Sequence, residues 1–166
     1  MPTTFGCSVP TRGPMASPEI LKKLTLAAEA AGFDSVWVSD HLILPRSVES
    51  FYPYGKDGIA TFLPDDDYYE PLAALTYLAG CTSTVKLGTH VLILPYRHPV
   101  LTAKLLSTLD VLSNGRVILG AGVGWMEEEF NALGLDTYSK RGKVTDEYIM
   151  LFKELWTQTN PNFQGE

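Results

Sequence analysis

The sequence predicts an α/β fold built on a parallel sheet, either open and doubly wound or half of a barrel. Four short apolar segments typical of buried strands alternate with amphipathic segments typical of helices. The 166 residues are 45% hydrophobic and 19% charged, which is the composition of one ordinary domain with a core. We therefore treat residues 1–166 as a single domain.

The first unit begins with a short apolar strand at residues 4–9 that Pro10 ends. Ser17 and Pro18 are an N-cap and a first-turn proline, and apolar residues then recur every three or four positions as far as Gly32. Residues 35–38 are rich in β-branched and aromatic side chains and predict a second buried strand. A helix between two buried strands indicates a parallel crossover.

A long segment without periodicity, residues 42–67, follows the second strand. It contains three prolines and the aromatic residues Phe51, Tyr52, Tyr54 and Phe62. A connection of this length inside a compact domain usually has a function or is mobile. We predict a loop on the substrate side of the fold.

The next two units are shorter and more regular. Pro71 opens a helix, and residues 85–94 predict a third strand in which Gly88 suggests a bulge. A third helix begins at His98-Pro99, with an apolar face that we assign to Val100, Leu101, Leu105, Leu109 and Leu112. A last helix is expected at about 140–156.

The most informative stretch is 112–130, where a helix end, a strand, a glycine turn and a new helix follow in quick succession. Asn114-Gly115 closes the helix, and residues 116–119 predict the fourth strand. Glycines at 120, 122 and 124 remove side chains from one face, so a flat ligand or another backbone can approach there. The alternative explanation of the spacing is a strand end packed tightly under a helix without a ligand. A dinucleotide fingerprint does not explain it, because it requires glycine where Trp125 stands.

The carboxyl ends of parallel strands form one rim, and polar or glycine-rich residues stand at three of them. Asp40-His41, residues 89–91 and residues 122–128 should converge there. The glutamates at 127–129 are most simply explained as a solvated helix start, because acidic side chains are favourable in a first turn.

Composition limits the partners and the compartment. A net charge of -6 and a pI near 5.0 argue against nucleic acid and anionic membranes as partners. Cys7 and Cys81 lie far apart in apolar settings, which favours reduced thiols in a cytoplasmic protein. The sequence shows neither a signal peptide nor a spanning segment, and we predict no metal site.

Four segments carry a resemblance to a known family: GFDSVWVSDH at 32–41, LGTHVL at 87–92, RHP at 97–99 and GAGVGWMEEEF at 120–130. In this order they resemble the bacterial luciferase-like flavin monooxygenase superfamily, and the branch that depends on the deazaflavin coenzyme F420 is the most similar. The resemblance implies a (β/α)₈ TIM barrel that binds F420, or alternatively FMN, at its carboxyl-terminal rim. Such a barrel needs about 250 residues. The chain therefore resembles the N-terminal half, a half barrel of about four parallel βα units.

The resemblance also implies roles for individual residues. Asp40 matches the position that hydrogen-bonds the cofactor ring, and His41 matches the catalytic histidine near the reacting atom. His90 and Val91 match a bulge with a cis peptide that backs the ring. The remaining cofactor contacts would be Thr89, Gly122, Gly124 and Glu128.

Trp125 stands where sugar-phosphate dehydrogenases of the F420 branch carry a glutamate proton donor, and this disfavours a sugar-phosphate substrate. We expect Trp125 to form an apolar substrate pocket with Phe51, Tyr52 and Tyr54. On spacing alone, such loop aromatics are more often explained by local packing than by a substrate pocket.

The functional prediction is a flavin- or deazaflavin-dependent oxidoreductase acting on a small organic substrate. Two alternatives stay open at this point: a noncatalytic flavin-binding or assembly module, and an open-sheet binding domain unrelated to flavins. A half barrel exposes two strand edges, at about residues 5–9 and 116–119, so a homodimer or a missing C-terminal half is the expected partner.

Overall fold

The computed structural model describes residues 2–59 and 65–165. Residues 60–64 of the predicted loop, with Phe62, therefore lie outside the described residues. The elements in chain order are β1 (Gly6–Ser8), α1 (Pro18–Ala30), β2 (Ser35–Val38), α2 (Pro71–Ala79), β3 (Lys86–Thr89), β4 (Leu92–Ile93), α3 (Pro99–Ser113), β5 (Val117–Ile118), β6 (Ala121–Gly122), α4 (Glu127–Ala132) and α5 (Arg141–Thr157). Short 3₁₀ turns cover Gly13–Met15, Leu94–Tyr96 and Tyr138–Lys140.

The sheet has the order β1-β2-β3-β5, and all three pairings are parallel. A second parallel pair, β4 with β6, continues β3 and β5 towards the carboxyl-terminal rim. Helices connect successive strands, so the chain forms four parallel βα units arranged as half of a barrel. This confirms the predicted fold class.

The helix ends follow the capping residues in the sequence. Ser17 Oγ accepts a hydrogen bond from the Ile20 amide of α1, and the Glu70 carboxylate accepts one from the Ala73 amide of α2. α3 ends at Asn114, whose φ of 60° is left-handed, followed by Gly115 at 76°. Local chemistry therefore fixes where these helices begin and end.

The hydrophobic core lies between the outer face of the sheet and the helices. Its fully buried members include Val36, Leu75, Leu87 and Phe152. None of the helices within the described ranges 2–59 and 65–165 is long and apolar enough to cross a membrane.

The predicted apolar face of α3 is right at Leu109 and wrong at Val100, Leu101, Leu105 and Leu112, which are exposed. The buried face consists of Thr102, Ala103, Leu106, Leu109 and Ser113. The reason is that α3 packs against both α2 and α5, and the smaller residues allow this close approach.

The inner strands β2 and β3 are buried along most of their length, as predicted, whereas the outer strands β1 and β5 are partly exposed. Trp37 of β2 lies across the neighbouring strands on the concave face of the sheet. A Cβ atom on Gly6 of β1 would fall 2.3 Å from Trp37 Nε1, and one on Gly88 of β3 would fall 2.4 Å from Trp37 Cε3. Gly88 therefore makes room for the indole within a regular strand, and the interruption comes later, between β3 and β4.

Two side-chain clusters fix the opposite end of the sheet. Arg116 is buried, and its guanidinium donates hydrogen bonds to Thr82 Oγ1 and to carbonyl oxygens of Ala79, Thr82, Val85 and Ser113. Glu29 of α1 accepts the backbone N–H groups of residues 83–85 on one carboxylate oxygen. Desolvation would raise the pKa of Glu29, but these hydrogen bonds prevail and lower it to about 2.

Candidate functional site

A cavity of about 380 Å³ opens at the carboxyl ends of β2, β3 and β4. It brings together seven residues that the sequence predicts for the site: Asp40, His41, Tyr52, Tyr54, His90, Val91 and Trp125. Arg12, Ser39, Tyr68 and Ile93 complete its wall. Its size and aromatic character suit one small molecule or one end of a larger ligand.

His41 is buried at the end of β2 and is held by Glu129 of α4. The Nδ1 atom lies 2.6 Å from Glu129 Oε2, and the two side chains are 8% and 0% exposed. Its ring makes edge-on contacts with Tyr68 and Trp125, at centroid distances of 5.6 and 6.2 Å. The hydrogen bond to Glu129 and these two aromatic contacts hold the imidazole in place.

Glu129 corrects the expectation that all three glutamates of α4 are solvated. Besides His41, its carboxylate accepts hydrogen bonds from the backbone amides of Leu42 and Ile43 and from the Tyr96 hydroxyl. Burial would raise the pKa of Glu129, but the hydrogen bond and charge of His41, with the two amides, lower it below its usual range. The donors around Glu129 thus favour its ionised form.

The Asp40 carboxylate forms its hydrogen bonds with other residues of the chain. The carboxylate, 0% exposed, forms a two-pronged contact with Arg97 at 2.6 and 2.8 Å and accepts the Ile93 amide at 2.8 Å. Burial raises the pKa of Asp40, and the hydrogen bonds and charge of Arg97 oppose that rise. Arg97 also reaches Glu70 at the start of α2, so Asp40 connects the end of β2 to β4 and α2. Its contact with a cofactor ring stays a prediction.

The peptide bond between His90 and Val91 is cis, as the resemblance implies. Val91 faces the cavity with 42% of its surface exposed. The His90 side chain turns towards the concave face, where its Nε2 lies 3.0 Å from Ser8 Oγ of β1.

Aromatic rings line one side of the cavity, and their role in holding a substrate stays a prediction. Trp125 and Tyr52 are 4.9 Å apart between ring centroids, and Tyr54 packs edge-on against Tyr52 at 5.7 Å. Phe51 is not among the residues that line the cavity. It is 72% exposed and packs against Gly58 within the loop.

Thr89, Gly122 and Gly124 do not line the cavity either, and packing explains all three. The Thr89 hydroxyl is hydrogen-bonded to the backbone of Gly120. A Cβ atom on Gly122 would fall 2.2 Å from Val91 Cγ2, and one on Gly124 would fall 2.9 Å from Phe130 Cε2. The close approach predicted from the glycine spacing is made here by the chain itself, and the cofactor contacts remain predictions.

Glu128 holds the long loop. Its carboxylate accepts hydrogen bonds from the amides of Glu49 and Ser50 and from Ser50 Oγ, and Ser50 Oγ accepts the Glu127 amide. It lies in a separate surface groove with Ser47 and Asn131, so the predicted contact with the ring edge also stays untested.

Sequence reasoning missed Glu129, Arg97, Arg12 and Tyr68 as members of the site or of its support. The one sequence signal for Glu129 is its position directly before the apolar Phe130. In the structure both side chains are buried in α4. Arg12 and Tyr68 offered none, since each lies in a connection whose path the sequence does not specify.

The fold and the site define a class of protein: a parallel βα half barrel with a carboxylate-held histidine in an aromatic cavity at its rim. A family model described as luciferase-like monooxygenase matches residues 2–166, and the chain belongs to this family.

Individual relatives are similar over nearly the whole chain. An F420-dependent glucose-6-phosphate dehydrogenase of Amycolatopsis mediterranei is 35% identical over 152 residues, which is 90% of this chain and 41% of the relative. A crystallised F420-dependent secondary alcohol dehydrogenase in complex with an F420–acetone adduct superposes with a TM-score of 0.75 at 23% identity, over 100% of this chain and 46% of that one. The oxygenating constituent of 3,6-diketocamphane monooxygenase from Pseudomonas putida, in complex with FMN, superposes with a TM-score of 0.72 at 20% identity. The superposition covers 100% of this chain and 42% of that one.

The chain spans about half the length of the curated relatives it matches, 49% in a mycobacterial relative that is also 35% identical. The solved neighbours are TIM-barrel proteins, and they confirm the half-barrel architecture.

Proposed function

We propose that the chain provides the histidine side of the active site of a luciferase-like oxidoreductase. The reaction is hydride transfer with coenzyme F420, or FMN-dependent monooxygenation, on a small organic substrate. The observation that carries the proposal is the buried His41, held by Glu129 at 2.6 Å and facing an aromatic cavity at the strand ends.

The cavity fits the flat end of a flavin or deazaflavin. Val91 is exposed at the cis peptide, and Trp125 and Tyr52 supply aromatic surface, so these residues would hold the ring. When bound, the cofactor supplies the hydride-accepting or oxygen-activating chemistry. The names of the relatives support both F420 and FMN, and we favour F420 because the F420-dependent relative is 35% identical.

His41 would accept or donate the proton that accompanies oxidation or reduction of the substrate. Because Glu129 engages Nδ1, Nε2 is the nitrogen through which His41 would exchange a proton with a ligand. Burial of the imidazole limits competing exchange with water.

The substrate proposed here is small and apolar. Tyr52, Tyr54 and Trp125 present aromatic surface on the loop side of the cavity. One relative is a glucose-6-phosphate dehydrogenase, so the two substrate classes should be compared directly. With F420, turnover of a secondary alcohol above that of glucose 6-phosphate supports the proposal, and the opposite order contradicts it.

Cofactor binding tests the proposal first. Titration with F420 and FMN, followed by visible absorbance after equilibrium dialysis, should show weak binding, because the phosphate site of such barrels is usually formed by loops after strands seven and eight. Each absent charge-assisted contact costs about 1.5 to 3 kcal/mol. Tight binding that depends on the cofactor phosphate would contradict this expectation, and no binding of either cofactor would refute the proposed function.

His41→Asn is a sharp test of the catalytic role in an active protein that contains this chain. The Asn amide can still donate to Glu129, while Nε2 is lost. Turnover should fall by about 10² to 10⁴-fold with cofactor affinity nearly unchanged. His98→Ala is the matched control, because His98 is exposed at the start of α3 and outside the cavity. If the variant binds the cofactor weakly but the fraction that still binds it turns over normally, His41 has a structural role instead.

We further propose that the chain associates through its sheet edges. β1 and β5 are the two outer strands of the four-stranded sheet, and both are partly exposed. Strand edges are templates for pairing, and a twofold dimer would supply eight strands. Size-exclusion chromatography with light scattering should show twice the mass of the chain. A monomer with a sharp unfolding transition would refute this mode of assembly.

A further inference from the structure

The carboxylate of Glu129 accepts hydrogen bonds on both oxygens, and these favour its ionised form. Oε1 accepts two backbone amides, Leu42 at 2.6 Å and Ile43 at 3.1 Å, and these groups can only donate. Oε2 accepts the Tyr96 hydroxyl at 2.9 Å and lies 2.6 Å from His41 Nδ1. The two amides and the Tyr96 hydroxyl all donate to Glu129, and hydrogen bonds to the charged form favour an ionised carboxylate.

The hydrogen between the two side chains therefore belongs to His41. An ionised carboxylate accepts and cannot donate, so with Glu129 ionised Nδ1 carries the hydrogen atom. The same carboxylate also binds the two amides that directly follow His41, so it fixes both the ring and the backbone beside it. The lowered pKa of Glu129 agrees with this geometry.

We propose that Glu129 is the positioning residue of His41: it holds the tautomer with hydrogen on Nδ1 and thereby directs Nε2 to the ligand. The inference rests on the proposed function for its catalytic meaning, since Glu129 itself acts only through His41. In the oxidising direction a neutral His41 would accept the substrate proton on Nε2, and Glu129 would stabilise the resulting imidazolium.

Ring ¹⁵N NMR of the cofactor-free chain tests the tautomer independently of activity. The chain has three histidines, and loss of one signal set in His41→Asn assigns the resonances of His41. At alkaline pH, wild-type His41 should show hydrogen on Nδ1. Hydrogen on Nε2 would overturn the inference, and the tautomer itself is read from the wild-type protein.

Glu129→Gln should shift His41 to a mixture of tautomers, because the amide can also donate. Glu127→Gln is the matched control, since it makes the same change on an exposed side chain of α4 and should leave the His41 pattern unchanged. An unchanged pattern in a folded Glu129→Gln protein would overturn the inference.

Kinetics then separate this inference from the proposed function. In an active protein containing the chain, Glu129→Gln should lower kcat about 10² to 10⁴-fold, with the cofactor KM unchanged and the pH profile altered, whereas Glu127→Gln should do neither. The predicted tautomer without any cofactor binding would leave the positioning role intact and refute the proposed function. Cofactor binding and turnover by a protein whose His41 carries its hydrogen on Nε2 would leave the proposed function intact and refute the positioning role.

Discussion

Replacement of Arg97 by alanine should be among the most destabilising single changes in this chain. Asp40 would keep the Ile93 amide but lose both contacts with the guanidinium, at 2.6 and 2.8 Å, while its carboxylate stays fully buried. Two charge-assisted hydrogen bonds at about 1.5 to 3 kcal/mol each give a loss of about 3 to 6 kcal/mol. The usual cost of removing one partner of a buried pair, about 3 to 5 kcal/mol, falls in the same range.

Urea unfolding measures this loss. With an m-value of about 2 kcal/mol/M, the midpoint should fall by about 2 M. The chain offers a matched control in Arg46→Ala, because the Arg46–Asp65 contact is similar in length at 2.8 Å but its side chains are 81% and 78% exposed. That change should cost less than about 1 kcal/mol.

Addition of Asp40→Asn to Arg97→Ala should recover part of the stability, since it removes the uncompensated buried charge. Equal losses in Arg97→Ala and Arg46→Ala would refute the argument that burial determines the strength of the pair.

Three further outcomes follow from the fold. Above its unfolded pKa of about 4.5, the ionised Glu29 contributes stability, and this contribution is lost as the pH falls towards about 2. The urea midpoints of wild type and Glu29→Gln should therefore differ at neutral pH and converge near pH 2. A difference that stays constant with pH would contradict the assignment. Arg116→Lys should cost at least about 3 kcal/mol in the same assay, because lysine has three donors for five contacts, and a near-neutral effect would mean that water replaces them. Gly120→Ala should destabilise the protein, since the new Cβ would lie 2.1 Å from the Thr89 carbonyl oxygen. Gly142→Ala in α5, where the new Cβ has nothing within 4 Å, should stabilise it by about 0.5 to 1 kcal/mol. Thermal unfolding should show midpoint shifts of opposite sign for the two variants, and shifts of the same sign would refute the packing explanation.

Periodicity and capping residues predict most of the fold. Strand β2 coincides with the predicted residues 35–38, and α1, α2 and α3 begin at the prolines that the sequence marks. The burial of α3 could not be predicted in this way. Leu101 and Leu105 are exposed while Leu106 and Leu109 are buried, because the inward face is determined by the two helices that flank it.

The site was predictable where it depends on the ends of strands and unpredictable where it depends on partners distant in sequence. His41, His90 and Trp125 follow strands and reach one cavity because parallel strands end at one rim. Glu129 lies 88 residues from His41, and no local pattern connects them. The glycine spacing had two explanations, and the choice between them required the coordinates of Thr89 and Val91.

Trp37 gives this half barrel an interior of unusual construction. In a complete barrel, four side chains from alternate strands share each interior layer. Here a single indole, tethered through Nε1 to Ser35 Oγ, covers three adjacent strands, and its neighbours Gly6 and Gly88 have no side chains to contribute. The layer therefore has no redundancy. A smaller residue at position 37 would remove it completely, and a larger one at position 6 or 88 would collide with it, so the three positions can change only together.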